Sequence, residues 1–93
     1  MDKIRIIIAD DHQLFRNGLK ILLNSFPDFE VTGEASNGEE FLKLLKSVTA
    51  DIALMDINMP EMDGIEATRK GIKMSPDINI IALSMYDEEE YYY

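Results

Sequence analysis

The chain lacks cysteine and tryptophan altogether, and its 93 residues include only 5 glycines and 3 prolines. Without cysteine it can form neither a disulfide nor a thiolate zinc site, a composition that suits a reducing compartment such as the cytoplasm. Basic residues are scarce as well: 9 Lys and Arg stand against 18 Asp and Glu, for a net charge of −9. Nucleic acids are bound by neutralising phosphates with Lys and Arg, so direct DNA binding by this chain is not expected. Acidity suits a cation site, a basic partner or solubility alone. No apolar run reaches the length of a membrane span, and Asp2, Asp10 and Asp11 interrupt any signal-peptide pattern near the start.

What is present is a composition ordinary for a folded domain, 46% hydrophobic and 29% charged. One domain over residues 1–93 is expected, with no repeat, linker or low-complexity segment. "KIRIIIA" (Lys3 to Ala9) is β-branched and nearly continuous in apolar content, as in a strand covered on both faces. "QLFRNGLKILLNSF" places Phe15, Leu19, Leu22 and Phe26 at helical spacing before Pro27 stops the helix. "FEVTGEA" alternates and reads as a strand nearer a sheet edge. Asn37 with Glu40, and Asp63 with Glu66, have the spacing of helix-capping pairs. Between them "DIALM" (Asp51 to Met55) is a third strand, and after the second pair's helix "INIIALS" (Ile78 to Ser84) is a fourth. Asp87 and Glu90 open what reads as a further helix. Strands alternating with helices imply a doubly wound parallel α/β sheet.

In such sheets the site lies beyond the carboxyl ends of the strands, where the strand order switches. Asp10 and Asp11 follow the first strand, Asp56 the third, and Ser84 closes the fourth. If the first and third strands are neighbours, three acids converge, and their mutual repulsion calls for a cation. Mg2+ (or Mn2+) is the natural occupant, a hard ion that takes carboxylate, water and phosphate oxygens. A carboxylate at the end of an apolar strand is costly unless something pairs with it or uses it, and the cation makes Asp56 tolerable there.

"ADDH", "LMDINMPEMDG" and "IIALS", in that order, resemble the receiver domain of two-component response regulators. "DDHQLFRNGL" and the helix sequences resemble the NarL/FixJ type. The resemblance implies a flavodoxin-like receiver fold with strand order 2-1-3-4, lacking its last strand and helix. It implies that Asp56 accepts a phosphoryl group from a phosphohistidine on a sensor histidine kinase. Asp11 matches a direct metal ligand, Asp10 one acting largely through water, and Asn58 a backbone carbonyl ligand. Ser84 matches the switch hydroxyl, while Met59, Pro60 and Gly64 shape the loop. The family's fifth-strand Lys would fall beyond Tyr93, so phosphoryl incorporation is expected only when that strand is supplied. DNA would be reached only through an output domain outside this chain. A strand bared over residues 78–84 would favour self-association. The chain would be no enzyme beyond catalysing its own phosphorylation. The rival is a binding-only module that cannot switch without the Lys strand.

Other readings fit less well. A haloacid-dehalogenase-type hydrolase places a general acid two residues after its Asp, where this chain has Asn58. An EF-hand fails because Pro60 occupies a ligand position and Ala67 the closing Glu position. A nucleotide-binding loop fails because "ADDHQL" would repel phosphate without a metal. His12 stands alone at a helix start and Mg2+ prefers oxygen, so it is assigned neither a ligand nor a phosphohistidine role. Lys70 and Lys73 fall on the third helix, away from the crevice, and the six Met residues read as core filler.

Overall fold

The computed structural model describes residues 3–57, 59 and 62–83. Strand β1 (Ile4–Ala9) leads into helix α1 (Gln13–Asn24), then β2 (Phe29–Ala35), α2 (Gly38–Ser47), β3 (Ile52–Asp56), α3 (Gly64–Met74) and β4 (Asn79–Leu83). All strand pairings are parallel, in the order β2-β1-β3-β4. The doubly wound α/β architecture and its strand order are therefore as the sequence implied. The expected fourth helix at Asp87 and Glu90 lies outside the described residues.

The two faces of the sheet follow from the alternation of side chains along each strand. Ile7 and Ala9 of β1, Ala35 of β2, and Ala53 and Met55 of β3 point to one face. There Phe41 of α2 and Ala67 of α3 close a core that also holds Met59 and Ile78. Glu34 alternates to the opposite face, where Arg16 and Lys20 of α1 reach it. That places α1 alone on the second face among the described helices, over Ile6 and Ile8, which are buried. Asp10 and Asp56 lie one residue past Ala9 and Met55, and so turn to the α1 side.

α1 departs from the expected pattern. Phe15, Leu19 and Leu23 are partly buried, while Leu22 is 55% and Phe26 48% exposed. The helix stops at Asn24, before Pro27 can act, because Ser25 caps it. The Ser25 N–H donates to the Ile21 and Leu22 carbonyls, and its hydroxyl donates to Leu22 O at 2.6 Å. Phe26 then packs edge-on to Phe29, with ring centroids 5.8 Å apart.

The other helices start as expected, with one adjustment each. Asn37 Oδ1 accepts from the Glu40 N–H at 2.8 Å, and Glu40 reaches back to the Ser36 N–H and hydroxyl at 2.7 and 2.6 Å. Asp63 Oδ1 accepts from the Glu66 N–H at 2.9 Å. Glu66 itself pairs forward with Lys70 at 3.2 Å instead of closing a capping box. Gly64 opens α3 hard against the end of β3: a Cβ there would lie 2.2 Å from the Asp56 carbonyl oxygen and 2.6 Å from Ile57 Cα. No side chain fits that space, so the glycine lets α3 begin directly beneath the strand that carries Asp56.

Candidate functional site

Register brings the acids together. Ala9 pairs with Met55 across β1 and β3, so the next residues, Asp10 just past β1 and Asp56 at the end of β3, stand at the same level. Both are buried, at 0% and 1% exposure. Asp11 and His12 follow at the surface. Asp10, Asp11, His12 and Asp56 each present one potential ligand atom, and these atoms all lie within 4.8 Å of one another.

The backbone around Asp10 is held from several sides. Its N–H donates to Ala35 O at 2.9 Å, continuing the ladder to β2 past the last paired residue. Its carbonyl accepts from Arg16 Nη1, and Arg16 Nε also reaches Glu34 at 3.3 Å. Lys20 pairs with the other Glu34 oxygen at 3.1 Å. The Arg16 side chain is 13% exposed, so α1 is fastened to the turn after β1 by a largely buried guanidinium.

Asp10 Oδ1 accepts from the His12 N–H at 2.7 Å and faces His12 Nδ1 at 3.0 Å. Nδ1 also lies 3.1 Å from Asp11 Oδ1. This explains why His12, at the N-cap of α1, makes no side-chain cap bond to its own helix. The hydrogen bond to Asp10, and then the charge of Asp11, raise the His12 pKa above 6.5. Among the described residues, Asp10 Oδ2 is buried with no hydrogen-bond partner. Burying a carboxylate oxygen in that condition is costly. A divalent cation meets the need, and the donor set (carboxylate oxygens from Asp10, Asp11 and Asp56) is the kind that Mg2+ and Mn2+ take. The residues present fit such an ion.

The structure thus gathers three of the residues singled out from sequence, Asp10, Asp11 and Asp56. Asn58 and Ser84, the other two, lie outside the described residues. Met59, read as shaping the loop, is 7% exposed and belongs to the core beneath it. Sequence reasoning set His12 aside and overlooked Arg16. For His12 the available signal was its position beside two acids, where an imidazole can fold back on its own turn. For Arg16 it was a cation in the first turns of a helix that starts three residues past Asp10, close enough to reach the preceding strand's last carbonyl.

Comparison with known proteins agrees with this geometry. The sequence model of the response regulator receiver domain matches residues 6–93. The transcriptional regulatory protein DegU of Brevibacillus brevis is 47% identical over 90 residues, spanning 97% of this chain and 38% of the relative. A two-component response regulator of the LuxR family from an Aurantimonas species superposes with a TM-score of 0.86 at 31% identity, covering 97% of this chain and 64% of that one. RcsB from Salmonella enterica serovar Typhimurium, bound to promoter rprA in the presence of the phosphomimetic BeF3−, gives a TM-score of 0.83 at 27% identity, covering 91% of this chain and 72% of that one. The chain therefore spans about two fifths of the length of the curated relative it matches. With the receiver strand order and an acidic pocket at the ends of β1 and β3, this chain belongs to the response regulator receiver domains, and its relatives are transcriptional regulators of the NarL/LuxR type.

Proposed function

We propose that the chain is a phosphorylation-dependent signalling switch in which Asp56 takes a phosphoryl group from a phosphohistidine on a sensor histidine kinase. One observation carries this reading: the β1–β3 register sets Asp56 level with Asp10, with Asp11 and His12 closing the cluster within 4.8 Å. Asp10, Asp11 and Asp56, with the Asn58 carbonyl that the family resemblance adds, would hold Mg2+ or Mn2+. When bound, that ion neutralises the carboxylates and the incoming phosphoryl oxygens.

The chain's own residues do the positioning. An Asp56 oxygen attacks phosphorus as the phosphorus–nitrogen bond to the kinase imidazole breaks, leaving an acyl phosphate on Asp56 and a neutral imidazole on the kinase after proton uptake. β3 fixes the nucleophile, and α3, packed against its carbonyl through Gly64, keeps the strand end from moving away. Ser84 is the hydroxyl that the resemblance assigns to the phosphorylated state. The chain performs this step once per phosphoryl donor and does not turn over a separate substrate, so its role is that of an acceptor. The DNA-bound state of RcsB supports an output on DNA through a further domain. The cytoplasm, where such kinases present their phosphohistidine, is the compartment this function requires.

The test is incubation with a small acyl phosphate and Mg2+, with the fifth strand of the family pattern supplied, followed by intact mass. The mass should rise by one phosphoryl group in the parent protein and stay unchanged in Asp56→Asn. Label retained in Asp56→Asn would overturn the assignment.

A further inference from the structure

We propose that Arg16 is a positioning residue of the crevice: its guanidinium holds the Asp10 carbonyl and so sets the turn that aims Asp10 and Asp11 at the ion. This rests on reading the crevice as a cation site and adds to it a residue that contributes no ligand. Arg16 meets the turn after β1 twice. Its backbone N–H donates to the His12 carbonyl at 2.9 Å, closing the first turn of α1, and its Nη1 donates to the Asp10 carbonyl. The same guanidinium is oriented from β2. Nε reaches Glu34 Oε1 at 3.3 Å, while Lys20 takes Glu34 Oε2 at 3.1 Å. Glu34 pairs with Ile8 in the β1–β2 register, and Asp10 lies two residues past Ile8, so Glu34 and Asp10 share the α1 face of the sheet.

These bonds leave Asp10 little freedom. Its N–H donates to Ala35 O at 2.9 Å, its Oδ1 accepts from the His12 N–H at 2.7 Å, and its carbonyl accepts from Arg16. Oδ2 is the atom left with no hydrogen-bond partner among the described residues. Partners that orient a metal ligand from outside commonly set affinity by about 10–100-fold. Charge and geometry pull in opposite directions at Arg16, which makes the role measurable. A cation beside an acidic crevice repels a divalent ion, so Coulomb's law alone has the loss of Arg16 tighten Mg2+ binding. A positioning role has that loss weaken it. Lys keeps the charge but presents a single ammonium in place of a planar fork, which does not hold the Asp10 carbonyl and Glu34 in the same geometry.

Calorimetric Mg2+ titration of the full chain tests this in the parent, Arg16→Lys, Arg16→Gln, Glu34→Gln, Leu23→Ala and Asp11→Asn proteins, each first shown to be folded by circular dichroism. Both Arg16 variants should weaken Mg2+ by about tenfold or more, and Glu34→Gln by less. Leu23 is partly buried on the same helix, so Leu23→Ala loosens α1 without touching the turn and should leave the affinity unchanged. In the metal-free protein, either Arg16 variant should move the Asp11 amide nitrogen resonance upfield, because the Asp10–Asp11 peptide loses the bond that polarises it. If Arg16→Gln fails to fold, Arg16→Lys and Glu34→Gln decide the matter. Mg2+ held as tightly or more tightly in the Arg16 variants, while Asp11→Asn weakens it, overturns the inference and leaves the cation site standing. Equal weakening in Leu23→Ala overturns it too, since Arg16 would then act only by fastening the helix. If Asp11→Asn also leaves Mg2+ unchanged, the cation site falls as well.

Discussion

Asp10 and His12 set the electrostatics of the crevice from opposite sides of the burial boundary. Asp10 is fully buried and uses one oxygen for the His12 N–H and ring, while the ring itself stands half in solvent. The imidazolium is favoured by its hydrogen bond to Asp10 and by the nearby charge of Asp11, so its pKa lies above 6.5 in the folded state. Linkage then fixes the sign: His12 adds stability that is fully present below the unfolded value and is lost as pH rises through the higher folded value. A metal-free pH titration followed by NMR should give a midpoint above 6.5, returning toward 6.5 in Asp10→Asn. A parent midpoint at or below 6.5 would contradict the contact. Asp51 behaves in the opposite sense. The Arg5 backbone N–H, then its guanidinium, lower the Asp51 pKa below 3.8, so its contribution is present above that value and lost as pH falls through the folded one.

Among the elements, the strands were the most legible part of the sequence. β-Branched runs such as "IRIII" have few ways to be buried except between helices on both faces, and the strands follow those runs closely. Asn37 and Asp63 were legible as caps because a short polar side chain before an amphipathic run has one good partner, the N–H three residues on. The packing face of α1 was not legible. Leu14, Phe15, Leu19, Ile21, Leu22 and Leu23 spread around much of the helix, so periodicity alone does not choose a stripe. The structure buries the side carrying Phe15, Leu19 and Leu23 and leaves Leu14 and Ile21 87% and 73% exposed. Nor was the reach of His12, because it depends on the backbone path of the turn after β1 and on no periodicity. The close approach at Gly64 gives an element-scale prediction. Gly64→Ala would drive a methyl into the Asp56 carbonyl, so α3 must shift, at a cost of about 1–3 kcal/mol in unfolding free energy measured with denaturant. Unchanged stability would mean that α3 does not start against the end of β3.

For the whole molecule, a net charge of −9 means that compaction gathers repelling carboxylates, and most acutely at the ends of β1 and β3. An ion that binds the folded crevice and not the unfolded chain stabilises by mass action, about 2.7 kcal/mol at a concentration one hundred times its dissociation constant. Mg2+ should therefore raise the thermal midpoint of the parent protein and leave that of Asp11→Asn much less changed. A midpoint raised equally in both would place the stabilising ion elsewhere.

The account depends on Asp11 and Asp56 serving one ion across two neighbouring strands. Calorimetric Mg2+ titration of the parent, Asp11→Asn and Asp56→Asn proteins measures this directly. One ion per chain, weakened strongly by either substitution, is the predicted result. Affinity that is the same in all three proteins would contradict it.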